Sequence, residues 1–240
     1  MSDGITMKRF GDGYRAVVCG ASGGIGAAFA DLLSNDPACA ACVRLSRSGT
    51  DGIAFDLEDE ASIATAAQTV GAEGPVHLVI DATGMLHTGT IQPEKSLSAV
   101  DPAAIAAAFA VNATGPLLLL KHFTPLMPRD AASTFATLSA RVSSISDNRL
   151  GGWYGYRAAK SALNMLVKTA AIEIARKSPQ AVLIGLHPGT VRTDLSAPFA
   201  GKRELFEPLD AAAMMLKVID GTGPEKTGNL FAYDGEKVAF

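Results

Sequence analysis

The sequence has little to tie the protein to a disulfide-forming compartment, to nucleic acid or to a membrane. Its 240 residues include three cysteines, and this odd number does not build a disulfide framework. The formal net charge of −3 provides no basic surface for nucleic acid. We identify no apolar run long enough to span a bilayer, and the N-terminal extension 1–14 lacks the apolar core of an export signal. These absences predict a cytoplasmic protein with no nucleic-acid and no membrane partner.

A metal site is not expected either. Cys39 and Cys42 have the spacing of a redox or metal pair. A zinc site needs further ligands, however, and no second cysteine pair or histidine cluster accompanies them. Cys42 also begins a short apolar run, so we expect a buried strand cysteine there.

What the sequence does contain is a regular alternation of apolar segments. Hydrophobic residues make up 48% of the chain, which is enough for a large core. Predicted strands are 16–19, 42–45, 78–81, 134–138, 182–186 and 229–233. Predicted helices are 27–33, 61–70, 102–121, 156–176 and 210–219. The alternation predicts one α/β domain over residues 1–240, a doubly wound Rossmann-type fold with a parallel sheet and helices on both faces.

A glycine-rich turn follows the first predicted strand. Gly20 permits a tight turn, while Gly24 and Gly26 let a phosphate and the neighbouring strand come close. The helix that follows would offer its free N–H groups to a pyrophosphate. An ordinary glycine-rich turn between strand and helix is the alternative.

A tyrosine and a lysine stand four residues apart on a predicted helix. Tyr156 and Lys160 therefore share one helical face. A fixed positive charge favours phenolate, so Lys160 is expected to lower the pKa of Tyr156 and make it a proton donor and acceptor. Tyr154 is the rival phenol, but it lies off the face of Lys160 and is expected to line a substrate pocket.

The two motifs together resemble the short-chain dehydrogenase/reductase family. Gly20-x-x-x-Gly24-x-Gly26 and Tyr156-x-x-x-Lys160 carry the resemblance, and further marks follow in the family's order. The family implies an NAD(P)-dependent oxidoreductase that transfers a hydride between nicotinamide and a carbonyl or secondary alcohol, with Tyr156 as general acid and base. It also implies a homodimer or homotetramer built on the predicted helices 102–121 and 156–176.

The resemblance also implies most of the site. Lys160 would hold the nicotinamide ribose, and Asn112 would support a proton-relay water. The implied cofactor contacts are Gly20, Ser22, Gly23, Gly24, Ile25, Gly26, Ser46, Arg47, Asp56, Leu57, Ala82, Thr83, Gly84, Asn112, Tyr156, Lys160, Pro188, Gly189, Val191 and Thr193.

The end of the second predicted strand favours NADP(H) over NAD(H). NAD-selective enzymes of this fold place an acid there to bind the ribose 2′-hydroxyl, whereas this chain has Ser46. Arg47 follows and can bind a 2′-phosphate through charge-assisted hydrogen bonds. The alternative is that Arg47 is a solvated loop charge.

The carbonyl-polarising serine departs from the family pattern. The family places a serine pair after the fifth strand, and here the pair reads Ser139-Ala140, with alanine in the second slot. Ser143 has the usual distance from Tyr156, and Ser144 follows it. We expect Ser139 first and Ser144 second to be catalytic. The long loop after them resembles the corresponding loop of a subgroup of small carbonyl reductases, those similar to sniffer and to the myxobacterial C-factor.

Two other functions and three further features of the sequence remain. A related sugar epimerase or dehydratase would also use a Tyr-x-x-x-Lys pair, and a non-catalytic cofactor-sensing regulator or signalling protein would share the fold.

Segment 195–208 is a candidate substrate lid, although a plain surface connection fits as well. His187 is expected to pack or to bond a backbone carbonyl. Leu150, Trp153 and Phe199 suggest an apolar pocket.

Overall fold

Eight strands form one sheet in the computed structural model, which describes residues 5–199, 201 and 205–240. The strands are β1 Tyr14–Cys19, β2 Cys39–Ser46, β3 Ile53–Ala54, β4 Leu78–Asp81, β5 Ser133–Leu138, β6 Ala181–His187, β7 Leu230–Ala232 and β8 Lys237–Val238. Their spatial order is β3-β2-β1-β4-β5-β6-β7-β8, and every pair except β7 with β8 is parallel. The predicted doubly wound α/β fold is confirmed.

The helices connect the parallel strands and cover both faces of the sheet. They are α1 Gly24–Ser34, α2 Glu60–Gly71, α3 Pro102–Phe109, α4 Gly115–Phe123, α5 Tyr154–Ala175 and α6 Pro208–Asp220. One face packs on α1 and α6 through side chains such as Phe29 and Met215. The other packs on α2, α4 and α5 through Ile63, Leu119 and Leu163. Both faces of the central strands are therefore buried, which explains their continuous apolar runs.

All the predicted strands and helices occur, with three differences. Strands β3 and β8 were not predicted, because two residues are too few to show a period. The predicted helix 102–121 is also interrupted, since a π-helical turn, Ala110–Thr114, separates α3 from α4. Such single π turns are frequent at functional sites.

The prediction that no apolar run is long enough to span a bilayer is wrong as far as length and composition are concerned. Within the helical stretch Pro102–Leu126, an 18-residue window has a mean hydropathy of 1.8, so this stretch is long and apolar enough to cross a bilayer. In the domain, α3 and α4 pack against α5, and α4 also packs against α2. A core helix of a globular domain can pass the same test of length and composition, and 39% of this window is buried within the domain.

The described part of the N-terminal extension packs onto the domain through a buried carboxylate. Asp36 accepts hydrogen bonds from the backbone N–H of Met7 at 2.9 Å and of Ala38 at 2.9 Å, and from the Tyr14 hydroxyl at 2.8 Å. Burial and this carboxylate raise the pKa of Tyr14, which stays a phenol. The extension is thereby joined to the turn before β2.

Candidate active site

The glycine turn lies between β1 and α1, and steric crowding explains its composition. Gly20 has φ +81°, a conformation that favours glycine. A Cβ on Gly26 would lie 2.2 Å from the carbonyl oxygen of Gly20, and one on Gly24 would lie 2.9 Å from Cγ2 of Thr193. No side chain fits at either position without moving the backbone or the neighbouring loop. The turn therefore keeps the start of α1 close to β1 and to the Thr193 loop.

The first turn of α1 is suited to an anion. Its N-cap residue, Gly23, supplies no side-chain cap, and no acidic residue lies in the first turn. The first N–H groups of a helix have no partner within it and carry the positive end of its dipole. A phosphate is the kind of group that these donors bind.

A groove of about 400 Å³ runs from this helix end to the predicted catalytic pair. It is lined by residues of the carboxyl ends of β1, β4, β5 and β6, where ligands of doubly wound sheets bind. The lining residues are Gly23, Gly24, Ile25, Gly26, Arg47, Ala82, Thr83, Gly84, Leu138, Ser139, Tyr156, Lys160, Pro188, Thr193, Asp194 and Leu195. Most of the predicted cofactor contacts are thus gathered along one groove.

The remaining predicted contacts do not line this groove. Ser46 is buried at the end of β2, with its Oγ 3.4 Å from that of Ser48. Asp56 is exposed, whereas Leu57 is buried against Gly115 of α4. The structure places Gly20 and Ser22 within the turn, and Gly189 and Val191 in the wall of a second cavity.

Tyr156 and Lys160 lie one helical turn apart on α5, as their spacing predicted. Lys160 is buried, its Nζ donates to the carbonyl oxygen of Leu138 at 2.8 Å, and Nζ lies 5.9 Å from the Tyr156 ring centre. Burial raises the pKa of Tyr156 to about 12, opposite to the expected lowering. Burial also lowers the pKa of Lys160 to about 8, although Asp81 partly offsets this. At neutral pH the phenol therefore holds its proton.

Asn112 lies at the centre of the π-helical turn. Its Nδ2 donates to the carbonyl oxygens of Met85 and Ala108, and its Oδ1 accepts from the Met85 N–H at 3.0 Å. A Cβ on Gly84 would lie 3.4 Å from Asn112 Oδ1 and 3.6 Å from Lys160 Nζ. Asn112 therefore fixes the loop that follows β4 and flanks the same glycine as Lys160.

Ser139 is the predicted serine that lines the groove beside Tyr156. Its Oγ donates to Asn164 Oδ1 at 2.8 Å, Asn164 Nδ2 donates to Ser143 Oγ at 2.7 Å, and Ser143 Oγ donates to the carbonyl oxygen of Ala140 at 2.5 Å. Sequence reasoning missed Asn164, although it follows Lys160 by one helical turn on the same face. This hydrogen-bonded chain orients the Ser139 hydroxyl.

Ser144 lies in a different environment. Its Oγ accepts from the Asp147 N–H at 3.1 Å and lies 3.3 Å from Ser146 Oγ, so it organises the loop after β5. Neither Ser144 nor Ser143 lines the groove or the second cavity. The geometry therefore favours Ser139 among the three candidates.

A second cavity of about 180 Å³ adjoins the groove. Ser139 and Tyr156 line both spaces, and Trp153, Phe199 and His187 line the second alone. The Trp153 ring meets that of Phe199 edge to face, with centres 5.3 Å apart. This cavity is therefore largely aromatic and apolar, the usual character of a substrate pocket.

The predicted lid is only partly described, and the rival tyrosine lies outside the pocket wall. Leu195, Ser196 and Phe199 of segment 195–208 line the second cavity, while residues 200 and 202–204 of that segment lie outside the described residues. Closure of a lid stays a prediction.

Tyr154 is 40% exposed and does not line either space, so its predicted place in the pocket wall is not found.

Comparisons with known proteins agree with this geometry. The family model for short chain dehydrogenases matches residues 15–204. The chain belongs to the short-chain dehydrogenase/reductase family. Members of this family are NAD(P)-dependent oxidoreductases, and the resemblance inferred from the two motifs is confirmed.

Individual relatives also support the predicted subgroup. The chain is 36% identical to the C-signal of Myxococcus xanthus over 165 residues, which cover 69% of this chain and 93% of the relative. Its fold is similar to the carbonyl reductase Sniffer of D. melanogaster, with TM-score 0.82, 19% identity, and coverage of 95% of this chain and 100% of the other. The NADPH-bound carbonyl reductase from chicken fatty liver gives TM-score 0.81 and 22% identity, with coverage of 95% and 100%.

Burial of Lys160 should cost stability, and the cost should depend on pH. The folded-state pKa of Lys160, about 8, lies below the usual 10.5. Burial of the charged ammonium therefore lowers the free energy of unfolding in full below pH 8, and this cost falls as the pH rises toward 10.5. Lys160→Met is expected to raise the free energy of unfolding at pH 7 by about 1–2 kcal/mol, the ammonium's desolvation cost less the lost hydrogen bond. Denaturant unfolding between pH 7 and 10.5 measures this gain.

The gain should fall as pH rises above 8 and turn into a small loss near pH 10.5 and above, where the amine is neutral in both states and only the lost hydrogen bond remains. Lys177→Met is the matched control, because Lys177 is exposed and should show no such pH dependence. A gain that stays constant across this range would contradict burial of the ammonium as its cause.

Ser139→Ala should slow carbonyl reduction by roughly a hundredfold, because one donor to the developing oxyanion is lost. Asn164→Ala should slow it about tenfold, with unchanged NADPH affinity, because the Ser139 side chain loses the partner that holds it beside the groove before the substrate takes over its hydroxyl. In the double variant the loss should equal that of Ser139→Ala alone, since Asn164 acts through Ser139. Single-turnover rates for all three variants measure this.

Ser144→Ala serves as the matched serine control and should retain nearly the wild-type rate, while Asn35→Ala controls for asparagine. Additive losses in the double variant, or a larger loss in Ser144→Ala than in Ser139→Ala, would refute the assignment of Ser139.

Proposed function

We propose that this chain reduces carbonyl groups of small molecules to alcohols with NADPH, with Tyr156 as the general acid. One observation carries the proposal: Ser139 and Tyr156 line both the glycine-walled groove and the aromatic cavity. A cofactor in the first space and a substrate in the second would therefore meet at these two hydroxyl groups.

The groove supports a dinucleotide. The uncapped start of α1 suits the pyrophosphate, and the Lys160 ammonium at the other end suits the hydroxyl groups of the nicotinamide ribose. When bound, NADPH supplies the hydride. The chain's own part is to hold that cofactor, to orient the carbonyl and to deliver a proton.

Proton delivery follows from the protonation state of Tyr156. With a pKa of about 12 the phenol is protonated at neutral pH, as an acid must be before it donates to the carbonyl oxygen. Ser139 fixes the same oxygen by a hydrogen bond, for which its hydroxyl turns from Asn164 to the substrate. Lys160 stabilises the phenolate left behind, and Asn112, through the loop it fixes, would support the relay water that restores the proton.

NADPH is favoured over NADH by Arg47. Its side chain lines the groove beside the glycine turn, and it makes no ion pair with the described residues. Arg44, the other arginine near β2, is held by Asp31 at 2.6 Å. Ser46 brings no negative charge against a 2′-phosphate. The relative with bound NADPH agrees with this preference without deciding it for this chain.

Arg47→Ala should weaken NADPH binding by roughly 1.5–3 kcal/mol, because a charge-assisted contact to the phosphate is lost, and should leave NADH binding unchanged. Fluorescence titration of both cofactors measures the two affinities. Arg44→Ala removes the same charge three residues away and should keep the wild-type ratio. Equal affinities of the wild type for the two cofactors would overturn the preference.

Tyr156→Phe should lower the single-turnover rate of reduction by about a thousandfold while leaving NADPH affinity nearly intact, because only the transferable proton is removed. A panel of aldehydes, ketones and quinones identifies the substrate for this assay. Tyr154→Phe is the matched control and should react at close to the wild-type rate. A near-normal rate in Tyr156→Phe would defeat the proposed mechanism.

A cofactor-sensing signalling role without catalysis is the second candidate, and the similarity to the protein named C-signal favours it. Tight NADPH binding without turnover of any carbonyl in the panel would support this role instead. The cytoplasmic location and the homodimer or homotetramer stay predictions, which cell fractionation and light scattering would test.

A further inference from the structure

His187 is the last residue of β6 and stands beside Ser139 at the carboxyl edge of the sheet. Leu138 and Leu186 are register partners, and the Ser139 N–H continues the ladder by donating to the Leu186 carbonyl oxygen at 2.7 Å. Ser139 and His187 are therefore neighbours across two parallel strands, which lie about 4.8 Å apart. Their side chains point to the same face and line the same cavity.

The His187 ring has no hydrogen-bond partner among the described residues. Its Nδ1 is shut off from solvent and bonds to nothing, although buried ring nitrogens are normally paired. The expected bond to a backbone carbonyl is not found. The residue lines the cavity, and no described protein group uses either of its ring nitrogens.

The ring is neutral, and its tautomer follows from the buried nitrogen. Burial, followed by the charge of Arg141, lowers the pKa of His187 to about 4, against a smaller opposing effect of Asp234. A neutral imidazole carries one N–H. A buried N–H without an acceptor is rarer in proteins than an unused acceptor. Nδ1 therefore keeps the bare lone pair, and Nε2 carries the hydrogen as a donor.

Arg141 is the charged residue in the described wall of the cavity beside His187, and carboxylates outside the cavity lie around it. Arg141 Nη2 pairs with Glu236 at 2.7 Å, and Arg141 Nη1 lies 3.9 Å from Asp147. Asp234 adds a further negative charge that acts on His187. The carboxylates thus offset the one charged residue of the described cavity wall, and the rest of that wall is uncharged, which suits a neutral substrate.

We propose that His187 determines substrate specificity by donating its Nε2–H to a second carbonyl oxygen, so that the substrate is a small, neutral, largely apolar dicarbonyl compound. The separation of Ser139 and His187 suits carbonyl groups on neighbouring or next-neighbouring carbons. The proposal rests on the proposed function: one carbonyl receives the hydride and the Tyr156 proton and becomes a hydroxyl. The second carbonyl is bound but not reduced in that step.

Two substrates that differ by one oxygen test this, 1-phenylpropane-1,2-dione and 1-phenylpropan-2-one. His187→Phe keeps the ring's approximate shape and removes the donor. It should lose roughly tenfold more kcat/KM with the dione than with the monoketone, because one neutral hydrogen bond is missing. His187→Gln, which restores an N–H donor, should recover part of the selectivity. His122→Phe makes the same change on α4, outside the cavity, and should keep the wild-type ratio.

Binding can be followed without turnover, because Trp153 is the single tryptophan and lines the cavity. Dione titrated onto the NADP⁺ complex should quench its fluorescence with a dissociation constant about tenfold weaker in His187→Phe. Equal losses for both substrates, or none, would overturn the role of His187. If the wild type reduces neither compound yet binds the dione in a His187-dependent way, the proposed function fails while the recognition by His187 stands. Unchanged NADPH affinity and melting temperature in His187→Phe show that the variant is folded.

Discussion

Two hydrogen bonds tie α5 to the carboxyl end of β5, and the arrangement of the site depends on them. Lys160 donates to the Leu138 carbonyl oxygen at 2.8 Å, and Asn164, one helical turn later, accepts from Ser139 at 2.8 Å. Residues four apart share a helical face, so both bonds hold the same face of α5 against the strand. Tyr156 precedes them by one turn on that face. A slide of α5 along its axis would break both bonds and move the phenol from the place where the two cavities meet.

The same burial sets the protonation states of the site. The low-dielectric surroundings disfavour charge on both groups, so the pKa of Tyr156 is raised to about 12 and that of Lys160 is lowered to about 8. A protonated phenol is ready to act as the acid in reduction. Oxidation would need the phenolate, which the neighbouring ammonium would stabilise. Under the proposed function, the protonation of the unliganded site at neutral pH therefore suits reduction.

The fold could be predicted well because the spacing of apolar residues along each strand or helix already shows which face of that element is buried. The site was predictable where a local motif demands it: the glycine turn at Gly20 to Gly26, and the Tyr156–Lys160 pair. What was missed depends on distant contacts. The Ser139–Asn164 bond joins residues 25 apart in sequence, and the π-helical turn at Asn112 depends on the loop at Met85. Spacing shows that two residues share a face, whereas it does not show how deeply that face is buried.

The ends of the central strands explain why a few polar residues carry most of the information about ligands. Within β4, β5 and β6 most core side chains are apolar, with Ser133, Thr134 and Thr137 of β5 as buried exceptions, and each strand ends at the edge where ligands bind. Asp81 accepts hydrogen bonds there from Thr83 at 3.0 Å and from Thr137 at 2.6 Å, and Ser139 is held by Asn164. Among these three strand ends in the described chain, His187 alone keeps unused hydrogen-bonding capacity. Because the protein's own groups satisfy the other two, substrate discrimination should be sought first at the end of β6.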